Sequence, residues 1–574
     1  MSQNIAQCVK SLLRPALSAA LMVLLLAAPG QTETIQATAL SKTEMLRLGE
    51  RMYREGILPS GKPMNAFIRG DVEVDSTAFS CSSCHLRAGL GSVEGGVVTP
   101  PTNGMRLYKA YRRPPSLNDI PDRAGRFVYA KTVSERPPYS RESLATALRF
   151  GTDPAGQSFN DIMPRYPIDD HDMAILINYL ESLSSSYSPG ATNAGYAFAT
   201  IITDDVSQED REALLAPLQK FIAGTNQQVE MYEEFIKFGY SPTIDMKYAF
   251  RNASLTIWNL KGAPKTWRKQ LAEYYAKEPV FAVLGGISNQ DWQPIHNFCE
   301  EQRLPCLFPI TELPVVSESD WYNYYFNRGY FQEGEAAARF INRMDGIAAR
   351  TPILQVIQES PAGKALAAGF QKAWSDLEHP TVNSVNVTSK QLRDPKFYSK
   401  LLLDNKPGVL LLWTDAGVIS SIPRLITKLD TPAQIYLSSS YLGKQAATIP
   451  ESVRSNVYIT YPYRLTPYVG SKEGFDAKVP ILATATDFGD NRITSRTNTM
   501  LKQVTLQGLK LLYDNLYRDH LLDVMSMQMD QVARDYERLS FGPGQRYVSK
   551  GCYVIQLGKG ADPALLAKSE WVIH

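Results

Sequence analysis

Two cysteines and a histidine stand close together in the chain as Cys81, Cys84 and His85, in the pattern Cys-x-x-Cys-His. This pattern attaches c-type haem, because each thiol can add to a haem vinyl group while the adjacent imidazole binds the iron. A structural zinc site would need four ligands, and the next cysteine, Cys299, lies far along the chain. A thioredoxin-like redox pair would need a strand-helix-strand setting, whereas the glycine-rich run 89–96 follows here. The motif therefore predicts one covalent haem c with His85 as an axial ligand.

The length and composition of the chain predict a globular protein of more than one domain. Its 574 residues exceed the about 250 to 300 residues that one hydrophobic core usually supports. Hydrophobic residues make up 44% of the chain and charged residues 21%, which is ordinary for folded proteins. The formal net charge of +2 and the lack of a dense basic stripe argue against a nucleic-acid partner.

The first 39 residues are expected to be a secretory signal peptide with a short tail. Lys10 and Arg14 precede an apolar run over residues 16–28, which is short for a membrane span. Cys8 stands before this run, where a lipoprotein cysteine would not. We therefore expect export to the periplasm, where haem c is normally attached. Membrane contact is expected only if the signal stays uncleaved.

Residues 40–188 show helical patterns on both sides of the haem motif. Ser41 and Glu44 form a capping-box pattern at the start of the first helix. A second helix is predicted from Ser140, and a last one from Asp169 or Asp170. A Met-Pro pair at 163–164 precedes the last helix.

This order of helix, Cys-x-x-Cys-His, loop, Met-Pro and last helix resembles the class I cytochrome c domain. The resemblance implies an all-α domain over residues 40–188 with Met163 as the second axial ligand. A thioether opposite a histidine leaves the iron six-coordinate, which implies electron transfer and no enzymatic activity. Met105, Met173 and His171 are the other candidate ligands, and plain core packing is the alternative role for Met163. A di-haem peroxidase would need a second attachment motif, which the sequence lacks.

Residues 189–195 are predicted to be a linker, and residues 196–574 a second domain. The linker is rich in glycine, proline and small polar residues and has no apolar periodicity. Beyond it, short apolar runs alternate with amphipathic helical patterns, which predicts parallel α/β architecture in two lobes. The predicted strands are at 196–202, 255–258, 280–284, 353–357, 382–387, 409–413, 435–437 and 457–461.

Several stretches of the second domain look like type I periplasmic binding proteins, with the branched-chain amino-acid binding proteins as the nearest comparison. These stretches are Val283–Asn289, Leu304–Thr311, Phe326–Arg328 and Gln358–Gly363. The resemblance implies a two-lobed periplasmic-binding-protein-like fold that closes on a small solute. With the first domain it gives a multidomain chain, an all-α cytochrome c domain followed by a two-lobed α/β domain.

The same resemblance implies a set of solute-binding residues. Ser288, Asn289 and Thr311 are the candidates from the first lobe, and Glu359 and Asp415 those from the second. The position before a helix suits an anionic group, since helix N-termini present free N–H groups. Helix capping is the alternative role for Ser288 and Asn289.

The remaining cysteines are predicted to be structural. An oxidising compartment makes a disulfide between Cys299 and Cys306 plausible, closing a small loop between a helix end and the next strand. Cys552 would then be unpaired or would pair with one of these two.

The sequence as a whole predicts a periplasmic monohaem electron carrier with a solute-binding-like module. That module would sense a small molecule or dock a redox partner, such as a dehydrogenase or another cytochrome. The alternative is an ABC-transporter-type solute-binding protein with an accessory cytochrome, and a haem enzyme is the third possibility.

Overall fold

The structure is a computed structural model that describes residues 40–68, 71–94, 97–112, 135–239, 251–315, 317, 319–344, 351–427, 434–465, 492–542 and 544–573. The predicted signal segment and Cys8 lie outside the described residues. Within those ranges, no helix has both the length and the apolar character needed to cross a membrane.

The N-terminal module, residues 40–188, consists of short helices joined by long loops. Its helices are α1 (Lys42–Glu55), α2 (Cys81–His85), α3 (Gly104–Leu107), α4 (Arg141–Phe150) and α5 (Asp170–Ser182). Its strands are β1 (Asn65–Ile68), β2 (Val72–Asp75), β3 (Val93–Glu94), β4 (Val97–Val98), β5 (Tyr111–Arg112) and β6 (Glu135–Arg136).

The predicted helix starts of this module are confirmed. Ser41 caps α1 by accepting from the Glu44 N–H at 3.2 Å. The Glu44 carboxylate pairs with Arg47 and does not complete the capping box. Ser140 caps α4 and Asp169 caps α5 in the same way, so each helix begins where a side-chain oxygen replaces a missing backbone acceptor.

The expectation of an all-α N-terminal module needs correction. Three two-stranded antiparallel ladders, β1–β2, β3–β4 and β5–β6, lie between the helices. They occupy segments rich in glycine, proline and β-branched residues, which do not continue a helix. The backbone groups of these segments are instead paired with each other.

Helices α1 and α5 form the centre of the N-terminal core. They approach so closely at Gly49 that a Cβ atom there would stand 2.5 Å from the Tyr179 Cβ atom and 2.7 Å from the Ile175 carbonyl oxygen. The rings of Tyr53 and Tyr179 lie beside this crossing, with centroids 5.5 Å apart. Glycine is required at this position because any side chain would force the two helices apart.

The first lobe of the second domain is a parallel sheet with helices on its faces. Its strands are β7 (Gly195–Thr203), β8 (Asn252–Leu260), β9 (Ala282–Leu284), β10 (Cys306–Leu307) and β11 (Asn323–Tyr324). They lie in the order β11-β10-β9-β7-β8, and every pair is parallel. Its helices are α6 (Gln208–Lys237), α7 (Trp267–Lys277) and α8 (Gln293–Glu301).

The second lobe is a larger mixed sheet. Its strands are β12 (Ile353–Gln358), β13 (Asn383–Val387), β14 (Val409–Trp413), β15 (Gln434–Ser438), β16 (Val457–Tyr461), β17 (Gly551–Leu557), β18 (Leu565–Ala567) and β19 (Val572–Ile573). The order is β13-β12-β14-β15-β16-β17-β18, with β19 also on β17. The pairs up to β16 are parallel and those of β17 are antiparallel. The predicted two-lobed α/β architecture is therefore confirmed.

The helices after α8 are α9 (Gly329–Arg343), α10 (Pro361–Asp376), α11 (Ser389–Leu392), α12 (Pro395–Asn405), α13 (Ile422–Ile426), α14 (Ser439–Leu442), α15 (Arg492–Gln507) and α16 (Arg518–Ser526).

Helix α9 leads from β11 into the second lobe, where it packs on α10. This packing depends on two glycines. A Cβ atom on Gly334 would stand 2.0 Å from the Leu366 carbonyl oxygen, and one on Gly369 would stand 1.9 Å from the Phe331 carbonyl oxygen.

Among the described residues, two neighbouring segments run between the lobes. Residues 325–328 run from β11 to α9, and residues 546–550 run to β17. The segments are paired, since the Tyr325 N–H donates to the Arg546 carbonyl oxygen at 2.8 Å and the Ser549 N–H donates to the Phe326 carbonyl oxygen at 2.6 Å. We call residues 325–328 and 546–550 the crossover pair.

We predict that Gly369→Ala lowers the free energy of unfolding by about 1–3 kcal/mol, because the new methyl group overpacks the α9–α10 contact. The matched control is Gly224→Ala in α6, where an added Cβ atom meets nothing within 4 Å. The control should raise stability by about 0.5–1 kcal/mol, since alanine is the better helix former. Urea unfolding followed by circular dichroism measures both, and equal stabilities for Gly369→Ala and wild type would contradict the close packing.

Candidate haem site and interlobe site

The three residues of the attachment motif lie on α2. Cys81 and His85 are both buried, and Cys84 is exposed. His85 stands four positions after Cys81, which places their side chains on one face of a helical turn. Both cysteines are free thiols, as thioether formation requires, and burial raises the pKa of Cys81 to about 12.

The imidazole of His85 is held by one ring nitrogen and leaves the other open. Its Nδ1 atom lies 2.8 Å from the Pro100 carbonyl oxygen, to which it donates. Its Nε2 atom is buried and has no hydrogen-bond partner among the described residues. Burial lowers the pKa of His85 to about 4, so the ring is neutral at pH 7. A metal-binding histidine needs this same arrangement, with one nitrogen fixed by a carbonyl and the other presenting its lone pair. The residues of α2 therefore fit a haem iron.

Met163 lies half-buried against the core of the N-terminal module. Its loop is fixed by hydrogen bonds in both directions between Arg165 and Phe67, at 2.8 and 3.0 Å. The Arg165 guanidinium also donates to the Met163 carbonyl oxygen. The loop before α5 is thus rigid where the sequence predicts an axial ligand.

The alternative axial ligands occupy other environments. Met173 is fully packed in the core on α5. Met105 is exposed, and exposed His171 lies 3.1 Å from Asp172. Met163 as the second iron ligand stays a prediction.

The predicted first-lobe solute residues lie at the carboxyl ends of β9 and β10, where their polar atoms hold the loops. Ser288 Oγ accepts from the Gln290 N–H at 3.0 Å, and Thr311 Oγ1 accepts from the Leu313 N–H at 3.1 Å. The main chain and side chain of Asn289 both bond Asp205, at 3.2 Å each. The capping alternative is wrong for Ser288 and Asn289, because the N-cap of α8 is Trp292.

The second-lobe candidates lie at the carboxyl ends of β12 and β14. Glu359 has an exposed side chain. Asp415 accepts from the Gly417 N–H and from Gln358 Nε2, each at 2.8 Å. A role in solute contact for these two residues and for the first-lobe set stays a prediction.

The structure brings together a further set of polar and aromatic side chains, which the sequence analysis did not select. It comes from the loop after β10, from α9, from the ends of β15 and β16, and from α15. We call this set the interlobe cluster; it comprises Glu312, Tyr330, Glu333, Tyr441, Tyr463 and Arg496.

Glu312 pairs with a buried cation through one oxygen only. Its Oε1 atom accepts from Arg496 Nη1 at 2.9 Å and from the Tyr463 hydroxyl at 3.4 Å. Its Oε2 atom is buried and is without a hydrogen-bond partner in the described structure. An open acceptor of this kind is costly unless something donates to it.

Glu333 is the most buried acid of the cluster. Its Oε2 atom accepts from the Ser439 N–H at 3.0 Å and from Thr460 Oγ1 at 2.7 Å. Its Oε1 atom accepts no hydrogen bond from the described residues. Burial raises the pKa of Glu333 to about 7, although the hydroxyls of Ser440, Thr460 and Ser438 oppose the shift.

Tyrosine rings enclose these carboxylates. The rings of Tyr330 and Tyr441 have centroids 5.7 Å apart, and the Tyr441 hydroxyl lies 2.6 Å from Ser360 Oγ. Burial, followed by the charges of Glu312 and Glu333, raises the pKa of Tyr330. Tyr330 therefore lies near both carboxylates. Tyrosine rings and the unpaired oxygens of Glu312 and Glu333 surround this region.

The predicted disulfide between Cys299 and Cys306 needs correction, because both are buried free thiols in the structure. They lie on α8 and β10, which pack together in the core of the first lobe. Burial, together with a hydrogen bond between the two sulfurs, raises the pKa of Cys299. Cys552 is also a buried free thiol, on β17.

No protein-family model and no curated protein matches the chain. Among solved structures, an ABC transporter substrate-binding protein from Sphaerobacter thermophilus is 10% identical, with 66% of this chain and 98% of that chain covered and a TM-score of 0.48. A leucine-binding protein from Thermotoga maritima is 12% identical, with 66% and 99% covered and a TM-score of 0.45. A fatty acid ABC transporter substrate-binding protein from Thermomonospora curvata is 15% identical, with 68% and 95% covered and a TM-score of 0.42. With TM-scores below 0.5, these similarities assign neither a ligand nor a role to this chain.

We predict that Glu333→Gln changes the pH dependence of stability. The wild-type carboxyl has a folded-state pKa of about 7 against an ordinary value of 4.5, so the folded state holds its proton over a range where the unfolded chain releases it. Stability from this group is therefore lost as pH rises from 4.5 to 7, by about 3 kcal/mol at about 1.4 kcal/mol per pKa unit.

Free energies of unfolding measured across this pH range should show that Glu333→Gln becomes more stable relative to wild type as pH rises. Glu359→Gln makes the same chemical change at an exposed side chain and serves as the control. Parallel pH profiles for wild type and Glu333→Gln would contradict the prediction.

Proposed function

We propose that the chain is an exported electron-transfer protein with one covalent haem c, whose two-lobed module binds a small solute. The observation that carries the haem assignment is the neutral, buried imidazole of His85. Its Nδ1 atom is bonded to the Pro100 carbonyl oxygen, and its Nε2 atom has no partner within the described part of the chain. In this proposal the protein acts in the periplasm, and its partner is a redox protein such as a dehydrogenase or another cytochrome.

The residues of the N-terminal module have separate roles in this proposal. Cys81 and Cys84 would hold the haem through thioether bonds, and His85 and Met163 would bind its iron. The haem supplies a one-electron couple when bound. The Pro100 contact orients the His85 ring, and the rigid loop of Met163 closes the second axial position. A closed iron favours electron transfer over catalysis, which is why we propose a carrier and no enzyme.

We predict that Met163→Ala keeps the haem attached, because the thioether bonds are untouched, but abolishes the long-wavelength absorption band of methionine bound to ferric iron. Met105→Ala, at an exposed methionine of the same module, should keep the band. Absorption spectra of the purified ferric proteins measure both. If the band persisted in Met163→Ala and disappeared in Met173→Ala, Met173 on α5 would be the iron ligand.

The interlobe cluster is our proposed solute site. Glu312 and Glu333 each present one buried carboxylate oxygen that lacks a partner in the described structure. A buried acceptor left open costs about 1–3 kcal/mol, which a donor on a ligand would recover. Tyrosine rings beside the carboxylates attract cations. The cluster therefore favours a small solute with a protonated amine or another strong hydrogen-bond donor.

We predict that small amines raise the thermal unfolding midpoint of the holo-protein more than carboxylates of equal size, because a ligand of the folded state stabilises it. Butylamine and ethanolamine can be compared with butyrate and acetate at equal concentration. Glu312→Gln should lose most of the amine effect, and Ser288→Ala should retain it. If Glu312→Gln kept the amine effect and Ser288→Ala lost it, the solute site would instead lie at the loop after β9.

A second candidate function is solute delivery to an ABC-type membrane transporter, with the haem module as an accessory. The paired lobes joined by the crossover pair favour it, since lobes linked by narrow segments can close on a ligand. Solute binding that leaves haem reduction by a partner unchanged would support this candidate over the first.

A further inference from the structure

Helix α16 of the second domain contacts the backbone immediately after the iron-binding histidine. The Asp523 carboxylate accepts from the Arg87 N–H at 3.3 Å and from the Ala88 N–H at 2.9 Å. These residues stand two and three positions after His85. The loop that leaves the haem motif is therefore bonded to the second domain as well as to its own module, where the Tyr53 hydroxyl donates to the Leu86 carbonyl oxygen and the Ser184 hydroxyl to the Ala88 carbonyl oxygen, each at 2.8 Å.

A second carboxylate, one helical turn earlier, strengthens this contact. Asp519 accepts from Arg54 Nη2 at 2.6 Å and from the Tyr322 hydroxyl at 2.8 Å, and lies 3.9 Å from Arg87 Nε. Although burial opposes it, the guanidinium groups of Arg54 and Arg87 hold the pKa of Asp519 below its ordinary value. Asp519 is thus a charged group shared by both modules. The side chains of Arg303 and Glu50 form another ion pair across the same boundary.

The haem loop also contacts Trp321, which in turn contacts the second segment of the crossover pair. The Arg87 guanidinium lies over the Trp321 ring, 4.1 Å from its centroid, and the Arg546 guanidinium lies 3.7 Å from the same centroid. Trp321 stands just before β11, and Arg546 begins the second segment of the crossover pair. Arg546 Nη1 also donates to the Tyr324 hydroxyl at 2.6 Å. Trp321 therefore joins the haem loop to the second segment of the crossover pair, which is itself bonded to the first segment through the Tyr325 N–H and the Arg546 carbonyl oxygen.

Lobe closure must change the backbone of the crossover pair, because these residues absorb the rotation between lobes. One-electron reduction of ferric iron removes one positive charge at the end of the same loop. That charge acts on Asp519 and Asp523 through a water-poor boundary, where Coulomb interactions are stronger than in water. A change in the charge of the iron and a change in the backbone of the crossover pair therefore act on the same connected set of contacts.

We propose that the contact of the haem loop with α16 and Trp321 links the oxidation state of the haem iron to movement of the crossover pair. The inference rests on the proposed haem function. Ferric iron strengthens the hold of the two carboxylates on the loop and restrains the crossovers, and ferrous iron releases them. Linkage is reciprocal, so a solute that favours closed lobes shifts the haem potential by the same free energy with which reduction shifts its affinity.

The test is hydrogen–deuterium exchange of the full-length holo-protein at pH 8, read by mass spectrometry on peptides that contain residues 325–328 and 546–550. The protein is oxidised with ferricyanide or reduced with dithionite. We expect these amides to exchange about fivefold or more faster in the ferrous protein, the lower end of usual coupling between sites.

Three variants and one control separate linkage from simple packing. Trp321→Ala and Asp523→Asn should each remove most of the oxidation-state difference, and Asp523→Asn should also raise the haem midpoint potential, because it removes a negative charge near ferric iron. Trp321→Phe keeps an aromatic ring and should retain part of the difference. Asp376→Asn removes an exposed carboxylate that pairs with Lys372 in the second lobe, and it should behave as wild type.

Two results would overturn this inference and leave the proposed haem function standing. One is equal exchange in both oxidation states of a wild-type protein that carries its haem. The other is a difference that persists in both Trp321→Ala and Asp523→Asn. A purified chain without covalent haem, judged by its absorption after denaturing electrophoresis, would instead overturn the proposed function and this inference together.

Discussion

The arrangement of the modules depends on one buried cation, the guanidinium of Arg518 at the first turn of α16. It donates to the carbonyl oxygens of Pro189, Val280, Phe281, Gln302 and Arg303. A buried charge is stable only when its donors are satisfied, and here backbone oxygens from three separate stretches satisfy them. Arg518 thereby holds α16 on the edge of the first lobe, with Asp519 and Asp523 directed at the N-terminal module.

The same cation explains why the predicted linker is not a loose tether. Pro189 is bonded to Arg518, and the Ser188 N–H donates to the Leu516 carbonyl oxygen at 3.0 Å. Gly190 has a φ of 81°, in the left-handed region that favours glycine, and a Cβ atom there would stand 2.1 Å from the Phe281 nitrogen. These contacts pack the segment tightly against the first lobe, whereas its composition predicted only a linker between two domains.

Sequence reasoning succeeded where the signal is local. The caps Ser140 and Asp169 and buried strands such as Val409–Trp413 are each defined by a few adjacent residues. It failed where chemistry comes from distant segments. Asp523 and Ala88 are 435 positions apart, and no spacing rule connects them. Glu333 did carry a signal, because it is an acid in the buried stretch of an amphipathic helix, and such an acid requires partners.

The place of α16 near the end of the chain has a consequence for biosynthesis. The N-terminal module is made first, and its helices and core lie within residues 40–188. The carboxylates that cover the loop after His85 are made only after both lobes have begun to form. During synthesis the loop after His85 therefore lies uncovered on that side, and it is covered only after α16 has been made.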